Sequence, residues 1–187
     1  DAISRSPVLK MLDVGAQGLI VPQVESPEQV RELVGYAKFA PQGNRGFCPT
    51  RDGGWGYGEL ARGGMGEYMP RANAETLLLP QCETVGCLEH IEEIAAIDGV
   101  DGIFVGPFDL SISMGMPGDF ENPIFKKAVE RIRIAAADAG KLCIVFTTDE
   151  IRSANYFRQG FPSVTMGLDA GVLIESFRKI TERAKNF

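Results

Sequence analysis

Two spacings of apolar residues alternate along the chain. Short, mainly apolar runs at 18–24, 77–83, 100–106, 142–147 and 163–166 carry the pattern of parallel strands buried on both faces. Between them, apolar residues recur every three or four positions, the period of an amphipathic helix. Val30, Leu33, Val34 and Ala37 form one such stripe, and a second helix is predicted over 85–97. Ile124/Phe125, Ala128/Val129, Ile132 and Ala135/Ala136 form another stripe, and Val172, Leu173, Phe177 and Ile180 the last. Helix punctuation agrees with the periods. Ser26-Pro27-Glu28-Gln29 reads as a capping box, Asn122-Pro123 as a helix start, and Gly140 and Gly160 as stops. Ser6-Pro7 predicts the start of a first short helix, closed by Gly15. The count is five strands, each followed by a helix, with one extra helix in front.

A right-handed βα succession leaves an open doubly wound sheet or a (β/α)₈ TIM barrel. No G-x-G-x-x-G or P-loop follows a strand, which weakens the nucleotide-binding open sheet. Five units are too few to close a barrel. The expectation is therefore an α/β chain holding about the C-terminal five βα units of a (β/α)₈ barrel, with 1–187 as one partial domain whose first three strands lie outside it. Open sheet edges would need cover from a preceding segment or from oligomer contacts. Periodicity stops over 41–73, where nine glycines accompany Trp55, Tyr57, Tyr68, Arg45, Arg51 and Arg62. So long an irregular stretch in a compact domain is expected to be a functional lid.

Composition narrows the partners. Of 187 residues 44% are hydrophobic and 24% charged, and the net charge of −6 argues against nucleic acid or an anionic membrane. No run has the length of a membrane span and no signal-peptide pattern opens the chain. Cys48, Cys82, Cys87 and Cys143 lack zinc-type spacing, so reduced thiols in a cytoplasmic setting are expected.

Ligands of parallel sheets bind at the carboxyl ends of strands, so polar residues that appear where an apolar run stops are the first candidates. The run that starts at Leu77 turns polar at its end, Gln81-Cys82-Glu83-Thr84, and the strand period puts Gln81 and Glu83 on one face with Cys82 on the other. The next run ends in Gly106-Pro107-Phe108-Asp109. Glu83 and Asp109 could be a metal pair, an acid/base pair, or helix caps. With no His or Cys beside them, hard oxygen ligands suit Mg²⁺ or Mn²⁺. His90, set among Glu89, Glu92 and Glu93 on a polar helix face, reads as a solvated surface residue. Arg45 reads as a structural ion-pair partner, and Trp55 and Tyr68 as packing for the lid. Asp13 is a charge near a helix C-terminus, locally unfavourable there.

These residues resemble the HpcH/HpaI group of class II, pyruvate-type aldolases, including the 2,4-dihydroxyhept-2-ene-1,7-dioate (4-hydroxy-2-oxoheptanedioate) aldolases. The resemblance rests on Leu12–Gly18, Val21-Pro22-Gln23-Val24, Pro41–Gly46, Gln81-Cys82-Glu83-Thr84 and the run from Gly99 to Ser111. It implies a TIM barrel in which Glu83 and Asp109 bind a divalent metal (Mg²⁺ or Mn²⁺, with Co²⁺ possible). The metal chelates pyruvate; Gln81 and the backbone at Phe108 and Asp109 contact the substrate. A pyruvate enolate adds to an aldehyde, or a 4-hydroxy-2-oxo acid is cleaved. Asp13 matches the aspartate that orients the family's histidine base. That histidine and a charge-stabilising arginine belong to the part expected to precede this chain. Phe108 replaces the small residue usual in G-P-A-D-L-S, which narrows the pyruvate end. The lid is expected to set aldehyde specificity, and the family's habit implies a homo-oligomer. Two rivals remain: a citrate-lyase-β or malyl-CoA-type lyase acting on a thioester, and an inactive truncated fragment without the histidine and arginine.

Overall fold

The computed structural model describes residues 3–185. Helix α1 (Arg5–Asp13) leads into strand β1 (Gly18–Val21) and helix α2 (Pro27–Ala37). Two 3₁₀ turns, Arg51–Gly56 and Glu59–Ala61, and helix α3 (Met65–Glu75) precede β2 (Leu77–Cys82). Then come α4 (Val85–Glu89), α5 (Ile91–Ala96), β3 (Gly102–Val105), α6 (Pro107–Ser113) and α7 (Pro123–Asp138). The chain continues through β4 (Leu142–Thr147), α8 (Glu150–Arg158), β5 (Ser163–Met166) and α9 (Asp169–Lys185).

The five strands form one parallel sheet in the order β1-β2-β3-β4-β5. A doubly wound sheet reverses direction at a switch point; this order never does. With every crossover right-handed, an unreversed order puts all the helices on one face. That is the arc of a TIM barrel. Leu78, Cys82, Ile103, Val105, Cys143 and Val145 face the helices and form the core with Val30, Leu33, Ile91, Ile94, Phe125 and Ile132. The other, concave face carries Ile20, Leu79, Gln81, Phe104, Ile144 and Thr165, which the strand register and its period of two place together.

Burial on both faces, predicted for all strands, holds for β3 and, from Leu78 to Pro80, for β2. β1 and β4 alternate and β5 is open, because helices cover only one side. The predicted apolar stripe of α9 is likewise uncovered: Val172, Leu173, Phe177 and Ile180 are each about 60% exposed and no side chain of that helix is buried.

Caps read from sequence hold at Ser26, which accepts from the Gln29 backbone N–H (3.4 Å) while Gln29 Oε1 accepts from the Glu25 N–H (2.7 Å). Asn122 and Asp149 also cap their helices. The first helix departs from prediction. It starts at Arg5 after Ser4, and Pro7 occupies its third position, where a missing N–H still costs nothing. The predicted helix over 85–97 is two helices meeting at His90.

The stretch 41–73 was expected as a lid, and the structure corrects where it lies. It connects the end of α2 to the start of β2, so it packs against the N-terminal end of the sheet, and its last part is the helix α3. Lys38, 1% exposed, braces that end: its ammonium donates to Asn73 O (2.8 Å), Thr76 O (2.5 Å) and Asp101 Oδ2 (2.9 Å). Asp101 Oδ2 also accepts from the Leu78 N–H (2.7 Å), tying β2 to β3.

Candidate functional site

At the C-terminal end of the sheet the chain gathers polar side chains from three strand ends. Glu83, the residue after β2, is 3% exposed. Its Oε1 accepts from the Gln23 backbone N–H (2.8 Å) and from Gln23 Nε2 (2.9 Å), and its Oε2 accepts from Gln81 Nε2. Burial of a carboxylate is costly unless its oxygens are hydrogen-bonded, and here neutral N–H donors alone do it. Gln23 holds this position with φ +56, a left-handed backbone that costs a side-chain-bearing residue about 1 kcal/mol. Thr84 Oγ1 donates to Val24 O (2.6 Å) and accepts from the Cys87 N–H (3.0 Å). It thereby caps α4 and locks the end of β1 to the end of β2.

The segment after β3 is shaped for close approach. The Gly106 N–H donates to Cys82 O (3.2 Å), which continues the ladder past the strands. A Cβ on Gly106 would lie 2.7 Å from Gln81 Nε2 and 2.9 Å from Glu83 Oε2, so only glycine leaves room beside the carboxylate. Pro107 starts α6; Phe108 and Asp109 are exposed in its first turn, while Leu110 and Ser111 are buried. Ser111 Oγ donates to Phe108 O (2.7 Å) and accepts from the Gly118 N–H (2.9 Å), a structural role. The Phe108 ring stands edge-on to Phe120, centroids 4.9 Å apart.

The structure thus brings Gln81 and Glu83 together, with Phe108 and Asp109 at the neighbouring strand end. Among the described residues no three His, Cys, Asp or Glu side chains converge, so any metal here would have two carboxylates and draw its other ligands from water and substrate. The donors fit that requirement: Glu83 Oε2 accepts a single N–H, Gly106 leaves space beside it, and Asp109 has no hydrogen-bond partner among the described residues. Oxygen donors of this kind match Mg²⁺ and Mn²⁺, which are held by one or two carboxylates.

Asp13 is not part of this group. As the last residue of α1 it lies before β1, at the N-terminal end of the sheet, some 15–20 Å away by the length of β2. There the Arg45 guanidinium, 3% exposed, pairs with Asp13 (3.1 Å) and Asp52 (2.7 Å) and sits 4.7 Å over the Phe39 ring. This is the structural ion pair expected for Arg45, and it offsets the unfavourable charge of Asp13 on the helix terminus. Tyr68 packs there too, its hydroxyl donating to Asp52 (2.6 Å), whereas Trp55 is exposed. Burial raises the Tyr68 phenol pKa and the bond to Asp52 adds to it. Burial pushes Asp52 up, but hydrogen bonds from Thr50 and Tyr68 and the charge of Arg45 outweigh it and leave the carboxyl below its ordinary value. His90 is exposed where α4 meets α5, in the outer helical layer.

Gln23 escaped the sequence reading. The apolar run at 18–24 takes Gln23 into the strand; with the strand ended at Val21, where the structure ends it, the rule that singled out Gln81, Glu83 and Asp109 applies equally to Gln23.

Comparison with known proteins followed from this geometry. The family model described as HpcH/HpaI aldolase/citrate lyase matches residues 3–176. The chain is 34% identical over 178 residues to a hydroxypyruvate/pyruvate aldolase of Roseobacter denitrificans, covering 95% of this chain and 68% of that one. It is 37% identical over 171 residues to a 2-keto-3-deoxy-L-rhamnonate aldolase of Klebsiella pneumoniae subsp. pneumoniae, covering 89% of this chain and 60% of the relative. It superposes on the crystal structure of an HpcH/HpaI aldolase from Desulfitobacterium hafniense with a TM-score of 0.87 at 30% identity, over 98% of this chain and 70% of that one. The chain therefore spans between 60% and 70% of the length of these proteins.

Proposed function

Since the chain belongs to the HpcH/HpaI aldolase/citrate lyase family, we propose that it serves a divalent-metal-dependent aldolase, a carbon–carbon lyase that forms or cleaves 4-hydroxy-2-oxo acids with pyruvate as the common partner. The observation that carries this reading is Glu83: a buried carboxylate held by neutral donors, open on one side, beside a second carboxylate at the next strand end. Glu83 and Asp109 would hold the metal, Mg²⁺ or Mn²⁺ by the character of the donors, with Co²⁺ a further candidate. When bound, it supplies a Lewis acid for the keto oxygen and so lowers the cost of taking a proton from the adjacent carbon. Gln81 orients Glu83 through Oε2 and stands where a substrate carboxylate would meet it. The backbone N–H groups of Phe108 and Asp109, in the first turn of α6, have no intrahelical acceptor and complete the substrate contacts. The exposed Phe108 ring forms the wall at the pyruvate end. Asp13, bound to Arg45 at the far end of the sheet, takes no part in this scheme within its own chain.

The uncovered stripe of α9 supports a homo-oligomer, in which a second copy would cover Val172, Leu173 and Phe177. Four free cysteines support a cytoplasmic setting, and among the described residues no helix is long and apolar enough to cross a membrane.

The test is exchange of pyruvate methyl protons in D₂O followed by NMR with Mg²⁺, run on the full gene product, with this chain alone as the comparison that locates the base. Exchange that EDTA abolishes, and that Glu83→Ala lacks, is the expected result. Exchange indifferent to EDTA, or retained by Glu83→Ala, refutes the proposal.

A further inference from the structure

We infer that Gln23 is the positioning residue of the candidate cation site, fixing Glu83 so that one oxygen is saturated and the other is presented to the ligand. This rests on the reading of Glu83 as a metal ligand. Two N–H donors from a single residue converge on Glu83 Oε1, the backbone at 2.8 Å and the side-chain amide at 2.9 Å. A carboxylate oxygen has two lone-pair sites, so Oε1 is fully used. Oε2 accepts only the Gln81 amide and keeps one site, on the side where Gly106 lacks a side chain. Glu83 is thereby set to bind a cation through one oxygen and one lone pair.

The chemistry of the clamp is as informative as its geometry. Glu83 is buried, and a lysine or arginine at position 23 would satisfy it while cancelling its charge. Amide donors satisfy the oxygens and leave the full negative charge for an incoming cation. Gln23 itself is exposed, so its amide could turn to water, and instead it is spent on Glu83. The backbone is committed as well. Gln23 has φ +56, a region L residues rarely enter, and Thr84 Oγ1 fixes the next residue through Val24 O at 2.6 Å. A conformation this unusual, held on both sides and aimed at one oxygen, is what a tuned outer partner of a metal ligand requires.

The test is titration of the chain with Mn²⁺ alone, read by loss of the free-ion EPR signal, with melting temperature measured on the metal-free protein. Gln23→Met keeps the shape and removes the amide donor. Gln23→Gly keeps the backbone donor and suits the positive φ. Gln23→Lys adds a competing cation. Replacing an outer partner weakens metal binding by about 10–100-fold. Expected are a Kd raised about tenfold in the Met and Gly variants, a larger rise for Lys, and an unchanged melting temperature for Met. Wild-type affinity in all three, with binding abolished in Glu83→Ala, overturns the role of Gln23 and leaves the metal site standing. Wild-type affinity in Glu83→Ala, or no binding by the wild type, overturns the metal reading and this inference with it.

Discussion

Gly106→Ala separates the cost of disturbing the candidate site from the cost of disturbing the fold. The added methyl would lie 2.7 Å from Gln81 Nε2, 2.9 Å from Glu83 Oε2 and 3.0 Å from Glu83 Cβ. Gly106 has φ −99 and ψ 85, so the backbone accepts alanine, and the loss of unfolded-state freedom stabilises by about 0.4–1 kcal/mol. The two nearest atoms are the ends of flexible side chains, which can swing away, and Glu83 Cβ at 3.0 Å has to give by only a few tenths of an ångström. Over-packing usually costs about 1–3 kcal/mol, and here the low end applies, so the net change in folding stability is within about 1 kcal/mol. The site fares worse. Gln81 and Glu83 must retreat by at least about 0.5 Å to reach normal contact distance, which is the tolerance of a preorganised constellation. Mn²⁺ affinity should fall about 10–100-fold, or about 1.4–2.8 kcal/mol at about 1.4 kcal/mol per decade. Gly102→Ala, on the same face of β3, is the control. Its Cβ would meet Leu142 Cβ and the Leu142 backbone O at 2.8 Å, which are fixed by the backbone and cannot step aside, besides Leu79 Cδ2 at 2.9 Å. It should cost about 2–3 kcal/mol in urea denaturation while leaving the Mn²⁺ Kd unchanged. A Gly106→Ala protein that binds Mn²⁺ as tightly as wild type, or that is destabilised as much as Gly102→Ala, would falsify this reasoning.

Three further outcomes can be checked. Asp101→Asn leaves the buried Lys38 ammonium without its counter-charge and should cost about 3 kcal/mol, the low end for a broken buried pair because Asp101 is partly exposed; adding Lys38→Met should cost less than the two single changes together, and an additive urea-midpoint cycle would rule out the coupling. Asp52 has a lowered carboxyl pKa, so the stability it contributes is present above its unfolded value near 4 and is lost as pH falls through the folded value; urea midpoints followed from pH 7 to 2 should fall less steeply in Asp52→Asn, and parallel curves would contradict it. Phe108→Ala removes an exposed ring and its edge contact with Phe120 at about 1 kcal/mol; it should raise kcat/KM for bulkier 2-oxo acids relative to pyruvate, and an unchanged ratio would take Phe108 out of the substrate wall.

What could be read from sequence was what is local. Ser26 and Asn122 cap their helices through neighbours two or three residues away, so the signal and the structure share one window. Strands 142–147 and 163–166 were bounded to the residue for the same reason. The helix α3 was hidden because Gly64, Gly66 and Pro70 interrupt its pattern, yet tertiary packing of Tyr68 and Ala72 against Phe39 sustains it. Lys38 was silent because Asp101 lies 63 residues away, and Gln23 because the apolar run extends across it to Val24. Asp13 was legible as an anomaly, a carboxylate on the wrong helix end, but its answer is Arg45, 32 residues on. The end of the sheet that the stretch 41–73 occupies was not legible in its composition, for a topological reason: a segment joining a helix to the next strand returns to the N-terminal end.

The unreversed strand order also bears on how the chain comes together in time. Each strand pairs with the one made just before it, so three of the four pairings close loops of about 40 residues or fewer: Ile144 meets Ser163 and Gln81 meets Phe104 after roughly 20 residues each, and Gly102 meets Leu142 after about 40. β1 is the exception, because the stretch 41–73 sets Gly18 about 60 residues from Leu77, and tripling a loop costs about 1 kcal/mol more in closure entropy. Docking of β1 is therefore the slow, late event of assembly. Since β1 carries Gln23 to Glu83, the cluster is finished last, and a chain caught half-assembled would own its carboxylates but not the grip that aims them.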